Sequence, residues 1–212
     1  MTGLAYDQNH MEQLILPGNL KALLPQDAHE FCVGSHYKKN ERLFKTGGRT
    51  EWMFFIVFGE VTLERIGLKG EAVVLQRTRT GFVSEASLNV ERYHCDGVAV
   101  SDTLAIKIPI CRLANSLSQD SQFAGRWINM LNSEVRRLRL QCERLSMKSV
   151  KDRLLHLVQT EGRDGLYAVP SGLKTLAGEL GVTHEALYRT IAELQKSNIL
   201  TKVDGDLIVR QR

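Results

Sequence analysis

Thr183, His184, Glu185, Tyr188 and Arg189 fall within one seven-residue window. On a helix, His184, Glu185, Tyr188 and Arg189 share the face opposite Val182, Leu187, Ile191 and Leu194. An imidazole, a carboxylate and a guanidinium on one outer face can exchange hydrogen bonds with base edges in a DNA groove. Two helices within residues 171–200 must hold these groups. Leu173, Leu176, Ala177 and Leu180 recur at i, i+3, i+4 and i+7, which predicts the first, starting at Ser171. Gly181 can take the positive φ that stops it and turns the chain. Thr183 then caps the second helix with its hydroxyl, and Glu185 sits in its first turn, where the dipole favours a negative charge. Helix, glycine turn and helix is the layout of a helix-turn-helix DNA reader; the alternative is an αα-hairpin of any helical domain.

Length and composition set the frame. With 212 residues the chain has room for one large domain or two modest ones. Residues 1–125 hold 13 Lys and Arg against 14 Asp and Glu, while residues 126–212 hold 15 against 10. The basic excess lies on the side of the polar helix, which suits a polyanion. No apolar run is long enough to span a membrane, and the first residues lack the pattern of a signal peptide, so a cytoplasmic protein with no membrane partner is expected. Cys32, Cys95, Cys111 and Cys142 form no C-x-x-C pair and no zinc-finger spacing, so most are expected to be buried thiols in a reducing compartment.

Residues 1–30 read as short helices on Met11, Leu14 and Ile15, then Leu20, Leu23 and Leu24, broken at Pro17-Gly18 and ended near Pro25. From Cys32 to Ile110 the period becomes two. Strands are predicted at Cys32–Tyr37, Glu41–Phe44, Trp52–Phe58, Val61–Ile66, Ala72–Arg77, Cys95–Val100 and Thr103–Ile108. Several are separated by the glycine turns Gly47-Gly48, Gly59-Glu60, Gly67 with Lys69-Gly70, and Gly81. Many short strands at this spacing mean an antiparallel sandwich or barrel. Residues 118–146 return to helical period, with a cap expected at Ser118 to Ser121. Phe123, Trp127, Met130, Leu131, Val135, Leu138, Cys142 and Leu145 form its stripe. Half of that stripe can lie on the barrel and the other half on a copy of itself in a parallel homodimer; the alternative is a helix covered wholly by its own domain. Ser146 to Ser149 is the expected hinge. A helix on Val150, Leu154, Leu155 and Val158, a short strand at 167–169, the helix-turn-helix and a hairpin turning at Asp204-Gly205 then make a winged helix.

This order of parts resembles the Crp/Fnr family of bacterial transcription regulators over nearly the whole chain. Residues 145–155 resemble the start of that family's C-terminal domain, and Leu176 to Ile191 its recognition motif. Gly59-Glu-Val resembles its hairpin, residues 81–88 stand where its phosphate-binding cassette would be, and Ala99 to Thr103 resembles the strand that follows. The resemblance implies an α+β fold: an antiparallel β-barrel or jelly roll of the cupin-like cyclic-nucleotide-binding kind over 1–117, a dimerisation helix over 118–146, and a winged helix-turn-helix over 147–212. It implies a homodimer on a palindromic operator in double-stranded DNA, with RNA polymerase as a further partner. Carried over position by position, His184, Glu185 and Arg189 read bases. Arg189 suits guanine O6 and N7, and Glu185 suits cytosine N4. Thr183 holds a phosphate, and Tyr188 contacts wing or backbone. Many members have arginine where this chain has His184, which is shorter and carries little charge at pH 7.

The implied effector pocket comprises Phe82, Val83, Ser84, Glu85, Ser87, Arg92, Tyr93 and His94. It departs from the pattern of cyclic-nucleotide binders. Glu85 is present, but Ser84 replaces the glycine, and Tyr93 stands at the arginine position with Arg92 one residue early. A one-residue slip on a strand sends a side chain to the other face. Cyclic AMP is therefore not the expected effector, and no cofactor is assigned. An iron–sulfur cluster lacks its cysteines. His94 and Cys95, or His29 and Cys32, are the candidates for metal, haem or redox sensing, against a packed thiol beside a surface imidazole. Without a Ser/His/Asp order, a metal motif or a Gly-rich loop with lysine, an enzyme is not expected.

Overall fold

The computed structural model describes residues 15–67, 70, 72–169, 172–203 and 205–209. Met11, Leu14, Lys69, Ser171 and Asp204, named above, lie outside them. The chain divides into two compact units, the first ending at Ile128 and the second beginning at Asn129.

In the first unit, α1 (Gly18–Leu23) and a 3-10 turn (Gln26–Phe31) precede the sheets. Then follow β1 (Val33–Tyr37), β2 (Arg42–Phe44), β3 (Trp52–Phe58), β4 (Val61–Ile66), β5 (Ala72–Thr78), β6 (Gly81–Val83), β7 (Asp96–Ala99) and β8 (Thr103–Pro109). They form two four-stranded antiparallel sheets, ordered β1-β8-β3-β6 and β2-β7-β4-β5. This is a jelly roll. Phe44, Phe54, Ile56, Val61, Leu63, Val83, Tyr93, Cys95 and Ala105 come from both sheets and the loop before β7, and they fill one shared core. Gly59 turns β3 into β4 at φ 93°, and a Cβ there would stand 2.4 Å from the Asp102 carbonyl oxygen, so no other residue fits.

Two elements differ from the sequence expectation. Gly81, read as a turn, opens the three-residue strand β6 against β3. Helix α2 (Ile110–Gln119) follows Pro109, and its buried Ile110 and Leu113 are spaced for one helical face. The long helix α3 (Ser121–Ser146) is therefore a separate helix. Asp120, not a serine, caps it: its Oδ1 accepts from the amides of Gln122 at 2.9 Å and Phe123 at 3.0 Å. A carboxylate suits this position because it also meets the positive end of the helix dipole. The cysteines differ as well. Cys95 is buried and Cys32 half-buried, but Cys111 and Cys142 are exposed, on the outer sides of α2 and α3.

The second unit holds the rest of α3, then α4 (Val150–Glu161), β9 (Leu166–Tyr167), α5 (Gly172–Glu179), α6 (His184–Lys196), β10 (Leu200–Val203) and β11 (Asp206–Val209). Ser149 caps α4 by accepting from the Asp152 amide at 3.0 Å. The three strands form one antiparallel sheet, β10-β11-β9, which is the wing. Leu154, Leu157, Val158, Leu173, Leu176, Leu180, Leu187, Ile191, Leu194 and Leu207 are its core, with contributions from every helix of α4 to α6. Each such side chain contributes about 1.5–3 kcal/mol by leaving water. Among the described residues no helix is long and apolar enough to cross a membrane.

Candidate nucleic-acid interface and barrel pocket

Helix α5 ends where the Leu180 amide still bonds the Leu176 carbonyl at 3.0 Å, and Gly181 then takes φ 64°. A Cβ at Gly181 would also come within 3.1 Å of Leu145 Cδ2, so the conformation favours glycine and a larger residue would have to push the Leu145 side chain aside. Helix α6 starts on Thr183, whose Oγ1 accepts from the Ala186 amide at 3.2 Å. Burial of Leu187, Ile191 and Leu194 fixes the roll of α6 about its axis. That roll leaves Glu185, Tyr188 and Arg189 exposed and His184 half-exposed.

The four side chains are not equally free. Glu185 is held below the usual carboxylate range, first by its own backbone amide, then by the Thr183 hydroxyl and the nearby His184. Its carboxylate is thus turned back on the first turn of α6, and Thr183 serves as cap to both groups. The His184 ring meets Tyr188 edge-on, with centroids 4.4 Å apart. Tyr188 therefore steadies the imidazole. Arg189 makes no hydrogen bond or ion pair among the described residues.

In the barrel the pocket residues divide between two faces. Tyr93 and Cys95 lie inside, whereas Arg92 and His94 are exposed. The Arg92 guanidinium donates to the Gly47 carbonyl at 2.7 Å on the outer surface. Tyr93 stacks on Phe44 at 4.3 Å, and its hydroxyl donates to the Trp52 carbonyl at 2.6 Å. Phe44 in turn lies 5.4 Å from Phe54, which meets Tyr37 at 6.5 Å. The barrel interior is an aromatic stack, and Phe44, Phe54 and Trp52 were not among the expected pocket residues. Phe82 points elsewhere, onto Phe55 and Trp127, each at 5.1 Å. Val83 is fully buried in the core. Ser84 is buried at φ 74°, a left-handed conformation that glycine adopts more readily. Glu85 opens a 3-10 turn that ends on buried Ser87. Burial raises the Cys95 thiol above its ordinary range, with Asp96 adding to the effect. Cys95 and His94 face opposite sides, and among the described residues no group of three metal-ligating side chains converges.

The stripe of α3 resolves into two faces. Phe123 and Trp127 are fully buried in the first unit and unavailable to a copy. Ile128 is 55% exposed, Val135 44%, Leu138 37% and Leu145 40%. With half-buried Leu131 and exposed Cys142 these alternate in steps of three and four, an apolar line at heptad spacing that takes in Ile128, outside the expected stripe, and has half-buried Met130 beside it.

The sequence model of the cyclic nucleotide-binding domain matches residues 35–120. The chain is similar to a global nitrogen regulator of Nostoc sp., 22% identical over 175 residues, 81% of this chain and 76% of the relative. Among solved structures it is similar to FixK2 from Bradyrhizobium japonicum, with a TM-score of 0.64 at 20% identity, covering 85% of this chain and 93% of that one. It is also similar to a transcriptional regulator of the CRP family from Thermus thermophilus, with a TM-score of 0.55 at 14% identity, covering 84% and 92%.

Proposed function

We propose, on the premise that this is a Crp/Fnr-type chain with a cyclic nucleotide-binding domain, that it is a sequence-specific DNA-binding transcription regulator acting as a homodimer. The observation that carries this reading is the exposed face of α6, where Arg189 stands free beside His184 and Tyr188 on a capped helix behind the Gly181 turn. A recognition helix of this build places its first turns against base edges in the major groove. Arg189 supplies a bidentate contact to guanine, and Glu185 accepts from cytosine once it leaves its own first turn. The exposed seam of α3, with β-branched Ile128 and Val135 at one position and Leu131, Leu138 and Leu145 at the other, supports a parallel pair. Two-fold symmetry then calls for a palindromic operator, with RNA polymerase as the machinery acted upon. Tyr93 and Phe44 supporting one another in the barrel favour a pocket closed to cyclic nucleotides, with Arg92 facing outward.

The test is selection of a binding duplex from a random library, followed by footprinting with Arg189→Ala. The wild type is expected to select a palindrome. The variant is expected to lose the footprint while keeping the dimer mass. An unchanged footprint overturns the assignment of Arg189.

A further inference from the structure

The Ser146–Ser149 connection between α3 and α4 is bridged by two arginines. Arg144 lies in the last turn of α3 with only 4% of its side chain exposed. Its Nη2 donates to the Glu161 carboxylate and to Thr160 Oγ1, both at the far end of α4. One residue earlier, Glu143 Oε2 lies 3.5 Å from His156 Nε2. The end of α3 is thus gripped along the second half of α4. An ion pair whose guanidinium is buried resists opening, because the arginine left alone is an uncompensated buried charge.

Arg153 makes the second bridge. Its Nε donates to the Met147 carbonyl, inside the connection, at 2.9 Å. Its Nη1 donates to the Leu180 carbonyl at 2.8 Å and reaches the Gly181 carbonyl at 3.4 Å. One guanidinium therefore ties the connection to the C-terminal end of α5 and to the turn that leads into α6. Carbonyls at a helix end carry partial negative charge, and the planar fork of arginine can serve both sides at fixed angles, which lysine cannot. Leu145 closes the same corner against Gly181.

We infer that Arg144 and Arg153 are positioning residues that make Ser146–Ser149 a fixed elbow, holding α6 in one orientation on α3 and so setting the half-site spacing that an operator must match. The inference rests on the proposed DNA-binding reading and departs from a connection that swings freely. The corner is held by side chains of α3 and α4 and by backbone carbonyls at the end of α5.

The experiment uses the full chain with Arg153→Gln and Arg153→Lys. Affinity is measured by fluorescence anisotropy for the selected palindrome, for versions with one base pair added or removed at its centre, and for a single half-site. Both variants are expected to bind the palindrome about tenfold more weakly, within the range by which residues between coupled sites act. They are expected to discriminate less among spacings and to bind the half-site as the wild type does. A spacing profile as sharp as that of the wild type overturns the proposal. A second measurement needs no DNA. Spin labels replace Asn132 on α3 and Ala192 on α6, with Cys111 and Cys142 changed to serine and the labelled chain diluted in unlabelled chain. One narrow distance is expected, broadened in both variants. A broad distance in the unsubstituted chain, or an unchanged one in the variants, overturns the elbow. If the wild type selects no duplex, the DNA-binding reading falls, and the spin-label result still decides the elbow.

Discussion

The Tyr93 hydroxyl donates to the Trp52 carbonyl at 2.6 Å while its ring stacks on Phe44 at 4.3 Å. The side chain that the resemblance sets at the arginine position of cyclic-nucleotide binders is thus a wall of the barrel core. Its phenol is held above the usual range, chiefly by burial, so it stays protonated and remains a donor.

Truncation of this ring is the first test. Tyr93→Ala removes the stack and leaves a cavity, with an expected loss of about 3 kcal/mol. Tyr93→Phe keeps the stack and loses one hydrogen bond, with an expected loss of about 1 kcal/mol. Urea unfolding followed by the fluorescence of Trp52 and Trp127 reads both. Calorimetry with cyclic AMP is expected to register no binding to the wild type. A neutral Tyr93→Ala, or saturable binding of the nucleotide, contradicts the closed pocket.

The seam of α3 makes a prediction about pairing. In a parallel, in-register pair each Cys142 faces its own copy across the axis, close enough for a disulfide. Mild oxidation is expected to give a covalent dimer on a non-reducing gel, absent in Cys142→Ser. Leu138→Glu places like charges in the seam and is expected to yield the monomer mass by light scattering. A dimer that survives Leu138→Glu and never cross-links through Cys142 pairs by some other face.

Acid is expected to weaken the barrel through Asp96. Its Oδ1 accepts from the Thr46 amide at 2.7 Å and the Thr46 hydroxyl at 2.8 Å, and its Oδ2 from Arg42 at 3.0 Å. These hold its carboxyl below the usual range, the Thr46 amide first. A group whose folded pKa is depressed contributes stability that is present above its unfolded value and lost as pH falls through the folded one. Asp96→Asn is therefore expected to be less stable than the wild type at neutral pH, with the gap closing below about pH 4. Urea unfolding at pH 7, 5 and 3 checks this; a gap that grows in acid refutes it.

Legibility from sequence followed the length and regularity of each element. β3 and β4 were readable to the residue because apolar β-formers run unbroken to Phe58 and Gly59 then forces the turn. β6 has three residues, too few to show a period. α2 was hidden because Ile110 continues the apolar texture of β8 across Pro109. On α6, the apolar positions dictated which side chains stay outside, but not that Glu185 would fold back on its own turn. The stripe of α3 was visible while its division was not. Phe123 and Trp127 serve the first unit, and the exposed apolar line that starts at Ile128 lies on a different face. Arg153 gave no signal, since its acceptor at Leu180 lies 27 residues away and is a backbone carbonyl.

Glu134 lies 2.8 Å from Arg137 on the flank of the α3 seam. In heptad terms, with Val135 and Leu138 on the axis, Glu134 and Arg139 take the two flanking positions that oppose each other between parallel helices. A second copy of this helix therefore offers an arginine wherever this one offers the glutamate, on both sides of the axis. In such a pair these two charges would match the helix to itself, and an acid at position 139 of a second chain would meet Glu134 as a like charge.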